Sequence, residues 1–387
     1  MKGKGFIDEV AMHAGCPVRA GDRVQLIPDV MVISDIVSKG CLEQTGKLSR
    51  TEAVEIVIEH GLPSVIETGD HHRDMVRYAA AHRTGLNHGR SISYYDLAKR
   101  KAAGEKIQVA VICGTRVPML GMEGIIGVHV TPQEMAEVME QGTVSYTVPE
   151  SVSVHMIGTL KRGVSARDAA MKLVAGFSEG MCGKNVILSG SISGFTLEER
   201  LQFANYISAS GAVNAWTGTE AETPGYVLDL SEIRPMAALP GDLIRPVPVD
   251  ELEGEVPFRL AFIGGCGGGT IEELRIAAAQ LRGKRIAYGM RLVVGPVDQE
   301  TYLAAAREGL ISDFIEAGAV FMNPGCLNCT GISCGRLGEN EVELSTGSFN
   351  HTGCCGAASS RIYLASAETV ARGALQGVIS RELGDRL

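Results

Sequence analysis

A chain of 387 residues exceeds the size at which one hydrophobic core keeps growing, so two or more packed lobes are expected. Hydrophobic residues make up 45% of it with mean hydropathy +0.11, which excludes a disordered chain. A net charge of -9 argues against a general nucleic-acid or anionic-membrane surface and in favour of a small-molecule substrate.

The N-terminus, MetLysGlyLysGlyPheIleAspGluVal, continues as an acidic amphipathic segment instead of an apolar signal core, and no run reaches membrane-spanning length. A cytoplasmic protein is expected, and in that reducing compartment ten cysteines point to metal or catalysis more than to a disulfide framework. Apolar β-rich runs predict strands at 107–112, 152–157, 185–188, 259–263 and 291–294. Between them stand helix-start signals: Ser165 with Asp168, Thr196 with Glu199, and Thr270 with Glu273. The alternation implies an α/β architecture. From Glu220 to Val256 the chain is rich in proline and acids (Pro224, Pro235, Pro240, Pro246, Pro248) and reads as a connection, 223–254, between an N-terminal lobe at 1–222 and a C-terminal lobe at 255–387.

The cysteines carry the chemistry. Cys266 sits in GlyGlyCysGlyGlyGlyThr, between the strand at 259–263 and a helix starting near Thr270, where glycines let the backbone approach a bulky ligand and a helix N-terminus favours thiolates. A phosphate loop would need a lysine after the last glycine, and a dinucleotide fingerprint would need glycine at Thr270. Cys326 and Cys329, in ProGlyCysLeuAsnCysThrGly, are compatible with a zinc half-site, a redox pair or cluster ligands. Cys334 is a candidate fourth ligand, and Cys354 and Cys355 in GlyCysCysGly are a wall, ligands or a nucleophile, in that order. Cys16, Cys41, Cys113 and Cys182 read as small apolar residues.

PheIleGlyGlyCysGlyGlyGlyThrIleGluGluLeuArg resembles the aconitase superfamily's GlySerCysThrAsn with its following GluAspLeuArg helix, and ProGlyCysLeuAsnCysThrGly is similar to that superfamily's ProGlyCysxxCysxGly. The likeness is greatest to the large subunits of isopropylmalate isomerase and homoaconitase. It extends to LeuAspLeuSerGluIleArgPro (228–235), to GlyAspHisHis (69–72) as the family's AspHis motif, and to AlaGlyAspArgValGlnLeuIleProAsp (20–29). The resemblance implies three-layer α/β/α lobes around a [4Fe-4S] cluster on Cys266, Cys326 and Cys329, with one iron open to a hydroxy-acid substrate. The family's swivelling small domain has no counterpart in these residues, so a separate small subunit is implied.

The departures fall at the chemistry. Where family dehydratases have CysGlyAspSerHisThr, this chain follows Cys113 and Gly114 with Thr115, Arg116, Val117 and Pro118; Phe349 and Cys354 stand where the family has two carboxylate-binding arginines. Loss of those guanidinium forks argues against citrate or isopropylmalate. Candidate catalytic residues are Asp70, His71 and His72, Arg116 as a replacement positive charge, and His351 as a replacement acid–base group. The expected activity is a hydro-lyase; the alternatives are cluster-dependent group transfer using the extra cysteines, and a non-catalytic binding or regulatory homologue.

Overall fold

The computed structural model describes residues 5–114, 116–218, 224–332 and 335–384; Thr115 and Cys334 lie outside them. Its frame is three wholly parallel sheets. The first contains β1 (Val30–Ser34), β2 (Val54–Ile58), β3 (Gly85–His88), β4 (Val109–Ile112) and β5 (Ile126–His129), in spatial order β3-β2-β1-β4-β5. The second contains β6 (Ser151–Ile157), β7 (Asn185–Gly190), β8 (Asn214–Thr217) and β9 (Tyr226–Asp229), in order β8-β7-β6-β9. The third contains β10 (Leu260–Ile263), β11 (Arg291–Val294), β12 (Val320–Phe321), β13 (Val342–Ser345) and β14 (Arg361–Leu364), in order β12-β11-β10-β13-β14.

Every strand predicted from the sequence is present, and the capping signals open helices where expected. Ser165 Oγ accepts from Asp168 N at 3.3 Å while Asp168 Oδ2 accepts from Ser165 N at 2.8 Å, starting Ala166–Met181. Thr196 and Glu199 exchange the same pair of bonds at 3.2 and 2.8 Å before Leu197–Ile207. Thr270 Oγ1 accepts from Glu273 N at 3.4 Å before Ile271–Leu281. Each such cap satisfies an amide that the helix itself leaves unpaired.

Two features go beyond the sequence reading. Residues 1–222 carry two sheets, because the fully buried ValMetValIleSer of β1 and the ValGluIleValIle of β2 pair in register, Val32 opposite Glu55 and Ile112. Within the proline-rich stretch, Tyr226–Asp229 is a strand of the second sheet, with Leu228 opposite Met156. In all three sheets the order runs third, second, first, fourth, so the chain reverses its winding between the first and fourth strands. In open parallel sheets that switch point leaves a crevice beyond the carboxyl ends of the strands where ligands bind. Buried side chains of all three sheets, among them Val32, Ile112, Val154, Leu188, Phe262 and Val293, share one core that also contains Cys326, Cys329 and Cys355.

Candidate active site

Two of the switch points line the same cavity, of ≈ 200 Å³. From the first sheet come Ser34 at the end of β1 with Ile36 and Val37 after it, Glu59 and His60 after β2, and Cys113, Gly114 and Arg116 after β4. From the third come Cys266 after β10, Cys326 and Cys329 after β12, and Ser348 and Phe349 after β13. The three cysteines singled out in the sequence, together with Arg116, are thus brought to one enclosure.

Local chain geometry explains how. After β10, Gly265 takes φ 65°, a left-handed conformation suited to glycine, which starts the short turn carrying Cys266. In CysLeuAsnCys the turn is made by Leu327, a non-glycine at φ 50° whose side chain is fully buried against Gly295. A left-handed leucine costs on the order of 1 kcal/mol and persists only when its surroundings hold it. Here they do: Cys326 N donates to Glu59 O at 2.8 Å, and Cys329 N to Cys326 O at 3.1 Å.

The sulfurs receive donors. Asn205 Nδ2 donates to Cys266 Sγ at 3.0 Å and Ser348 N to Cys329 Sγ at 3.2 Å, while Asn205 Oδ1 accepts from Ser348 Oγ at 2.9 Å. Two buried arginines hold the loop that supplies Ser348. Arg167, 0% exposed, donates to Gly347 O at 2.7 Å and Ala365 O at 3.2 Å; Arg116, 6% exposed, donates to Ser348 O and stacks 4.6 Å over the Phe349 ring. Among the described residues neither pairs with a carboxylate, and the Nε of each is buried without a hydrogen-bond partner.

Burial, then the Glu59 carboxylate and the neighbouring sulfurs, pushes the Cys326 thiol well up; burial, then Cys266, pushes Cys329 up to about 12, against the pull of Ser348 N–H and Arg116. These thiols are therefore protonated at neutral pH unless a metal displaces the protons, as thiolate ligation requires. Among the described residues no three His, Cys, Asp or Glu side chains form a single-ion site. That is no obstacle to a cluster, whose thiolates each take a different iron. Three cysteines on one cavity, with N–H groups directed at two of the sulfurs and two guanidinium groups nearby that pair with no carboxylate among the described residues, fit an anionic iron-sulfur cluster.

The other side of the cavity holds a carboxylate–imidazole pair that the sequence reading missed. Asp35 Oδ1 lies 2.7 Å from His60 Nδ1, and the Asp35 carboxylate also accepts from the amides of Glu59, His60 and Gly61 at 3.3, 3.1 and 2.9 Å. Burial alone would raise Asp35, but these bonds and the neighbouring histidines His60 and His72 hold it far below the usual carboxylate range. Burial likewise opposes charge on His60, and Asp35 with Glu59 overcomes it, raising the imidazole above its ordinary value. With Nδ1–H committed to Asp35, Nε2 is the atom left to exchange a proton. Glu59, 2% exposed, accepts from Ser93 N at 2.6 Å and Ser93 Oγ at 3.0 Å. In the sequence GluHis directly follows ValGluIleValIle, a run whose polar Glu55 masks the strand that places it.

The remaining candidates stand elsewhere. Asp70, His71 and His72 lie inside the helix Ile66–His82, not at its start, and line a neighbouring open cleft of ≈ 690 Å³. Asp70 is 83% exposed and paired with Arg73 at 2.6 Å. His71 Nε2 lies 2.7 Å from Ser38 Oγ. His72 is buried, its Nδ1 2.7 Å from Ser64 Oγ and its Nε2 3.3 Å from Asp35 Oδ2, outside hydrogen-bond geometry. His351 is exposed, its ring 6.3 Å from that of Phe349 and edge-on to it.

Residues 245–377 match the aconitase family (aconitate hydratase). The chain is 31% identical over 334 residues to the 3-isopropylmalate dehydratase large subunit of Thermococcus kodakarensis, covering 85% of this chain and 87% of that one. It is 29% identical over 373 residues to 3-isopropylmalate dehydratase large subunit 2 of Pyrococcus furiosus (95% and 97% covered), and 29% identical over 408 residues to the homoaconitase large subunit of Thermus thermophilus (98% and 97%). A solved structure, aconitase X of Thermococcus kodakaraensis in its holo-form, superposes with TM-score 0.53 at 11% identity over 84% of each chain, a likeness of fold. With the fold, the order of its cysteines and a 31% identical relative matched over most of both lengths, this chain belongs to the aconitase family of hydro-lyases, as a homologue of its large subunits.

Proposed function

We propose that this chain is the large subunit of a [4Fe-4S]-dependent hydro-lyase that acts on a hydroxy acid offering a single carboxylate to this subunit. The observation that carries the reading is the meeting of Cys266, Cys326, Cys329, Arg116 and His60 on one cavity. When bound to the three cysteines, the cluster supplies an open iron able to polarise a substrate hydroxyl. Arg116, with a buried Nε–H free, holds the carboxylate. His60, oriented by Asp35, carries a proton on Nε2 for the departing hydroxyl. Ile36, Val37, Ile92 and Phe349 keep water from the reacting centre.

Among the described residues one guanidinium lines the cavity, where a substrate with two or three carboxylates needs more, which argues against citrate or isopropylmalate. The relatives named as large subunits support a separate small subunit as partner. Among the described residues no helix is long and apolar enough to cross a membrane.

Anaerobic reconstitution with iron and sulfide tests the reading. The wild type is expected to take up iron with a broad visible charge-transfer band that changes when a 2-hydroxy monocarboxylate is added. An iron content unaltered in Cys266→Ser would sink the ligand assignment. With the small subunit present, alkene formation is expected; a loaded complex that dehydrates no hydroxy acid would leave the hydro-lyase assignment without support.

A further inference from the structure

The adjacent thiols of GlyCysCysGly have no place in the mechanism above, yet they are joined to the cysteine turn from behind. Cys355, 2% exposed, donates its S–H to the main-chain carbonyl of Cys329 at 3.6 Å, and its own carbonyl accepts from Leu337 N at 3.0 Å. Gly331 packs so closely on the pair that a Cβ there would come within 2.7 Å of Cys355 Cα. The Sγ atoms of Cys354 and Cys355 are 3.8 Å apart, and Cys354 is the more accessible of the two. The turn that presents Cys329 is therefore latched by a thiol that lies beside a second thiol.

We propose that Cys354 and Cys355 form a peroxide-sensitive dithiol whose oxidation to a vicinal disulfide releases Cys329, lowering iron uptake; the consequence for iron rests on Cys329 being a cluster ligand. In the first step Cys354 sulfur attacks a hydroperoxide oxygen. The O–O bond breaks, the alcohol or water leaves with the thiol proton, and Cys354 becomes a sulfenic acid. Cys355 sulfur then attacks that sulfur, the S–S bond forms, and the hydroxyl departs as water with the second thiol proton. Two electrons pass from the two thiols to the peroxide. Once oxidised, Cys355 has no S–H to donate to Cys329 O.

The geometry also makes the bond reversible. Adjacent Cα atoms stand about 3.8 Å apart across a trans peptide, inside the roughly 4.4 Å lower limit of ordinary disulfides, so the ring is strained and easily reduced. Gly353, at φ 80°, gives the loop the freedom to close it.

To test this, the reduced, metal-free full chain is treated anaerobically with stoichiometric hydrogen peroxide and digested. The peptide containing Cys354 and Cys355 is expected to lose the mass of two hydrogens and to regain it with dithiothreitol. An unchanged peptide, or a disulfide from either residue to another cysteine, overturns the proposal. Iron uptake by the oxidised chain is expected to fall about tenfold, the scale of losing a group that supports a ligand, and to return after reduction and desalting. Cys354→Ser is expected to keep its uptake through the same treatment; an equal loss in that variant, or no loss in the wild type, overturns the latch. Cys355→Ala serves as the second variant: its Cys354 sulfenic acid should persist and be captured by dimedone, and its absence counts against Cys354 as the attacking sulfur. If no form takes up iron, the cluster reading fails while the peptide mass still decides the dithiol.

Discussion

Leu327 rests directly on Gly295: a Cβ at residue 295 would overlap the Leu327 Cδ1 methyl. Leu327 is the left-handed residue between Cys326 and Cys329, so the spacing of two thiols depends on a missing side chain at the end of a neighbouring strand.

Gly295→Ala should therefore act at a distance. Overpacking of a filled core costs about 1–3 kcal/mol. The variant is expected to lose that much stability in urea unfolding and to bind iron less well, because relief of the clash moves Leu327 and with it the turn. Wild-type stability and wild-type iron content together would show that Leu327 does not set the turn.

Asn205→Ala separates the cysteine set from its support. The side chain bonds both Cys266 Sγ and Ser348 Oγ. Removing a partner of this kind lowers metal affinity by roughly 10–100-fold. Competition with an iron chelator should show that loss while the circular dichroism spectrum stays unchanged.

Asp35→Asn tests the carboxylate–imidazole pair. His60 titrates above its ordinary 6.5 because Asp35 and Glu59 outweigh burial. Since the folded value is the higher one, the stabilisation from charged His60 is fully present below 6.5 and is lost as pH rises through the raised value. Asp35 works in the opposite sense: its depressed value gives stabilisation that is present above 3.8 and lost only as pH falls through the folded value. With Asn at 35 burial remains and the main attraction is gone, so the His60 ring resonance followed by NMR should titrate at lower pH. An unchanged midpoint would mean that Asp35 does not govern His60.

Arg116→Gln is expected to weaken binding of a 2-hydroxy monocarboxylate by about 10–100-fold, as for a lost charge-assisted hydrogen bond of ~1.5–3 kcal/mol. Calorimetric titration against Arg116→Lys, which keeps the charge without the fork, distinguishes charge from geometry. Equal affinity in all three proteins would remove Arg116 from the binding site.

The cysteine-bearing part of the third sheet was legible in the sequence because each step was local: an apolar strand, glycines about Cys266, a threonine cap at Thr270, and a cysteine pair after a proline-glycine turn. The first sheet was less so. The polar Glu55 interrupts ValGluIleValIle, and its cost is met by Arg100, which donates to it at 2.8 Å from a helix far along the chain. Without β2, the GluHis that ends it has no visible address, and GlyAspHisHis offers a more obvious pair of histidines. Asn205 and Arg167 illustrate a different limit. Each sits in an ordinary helical stretch, and only the docking of the second sheet's helices onto the third sheet's loops gives it a role.

Because one cavity is walled by loops of two separately wound sheets, its inventory is split between two stretches of chain. Residues 264–349 contribute the sulfurs, and residues 34–116 the groups to which the proposed reaction assigns proton transfer and substrate binding. On that reading, loops of the first kind answer to what a metal demands, and those of the second are free to be rewritten for a new substrate. A chain built this way can change its reaction by exchanging one wall while the other stays as it was, which is the pattern that Thr115, Arg116 and Val117 beside an intact trio of cysteines display.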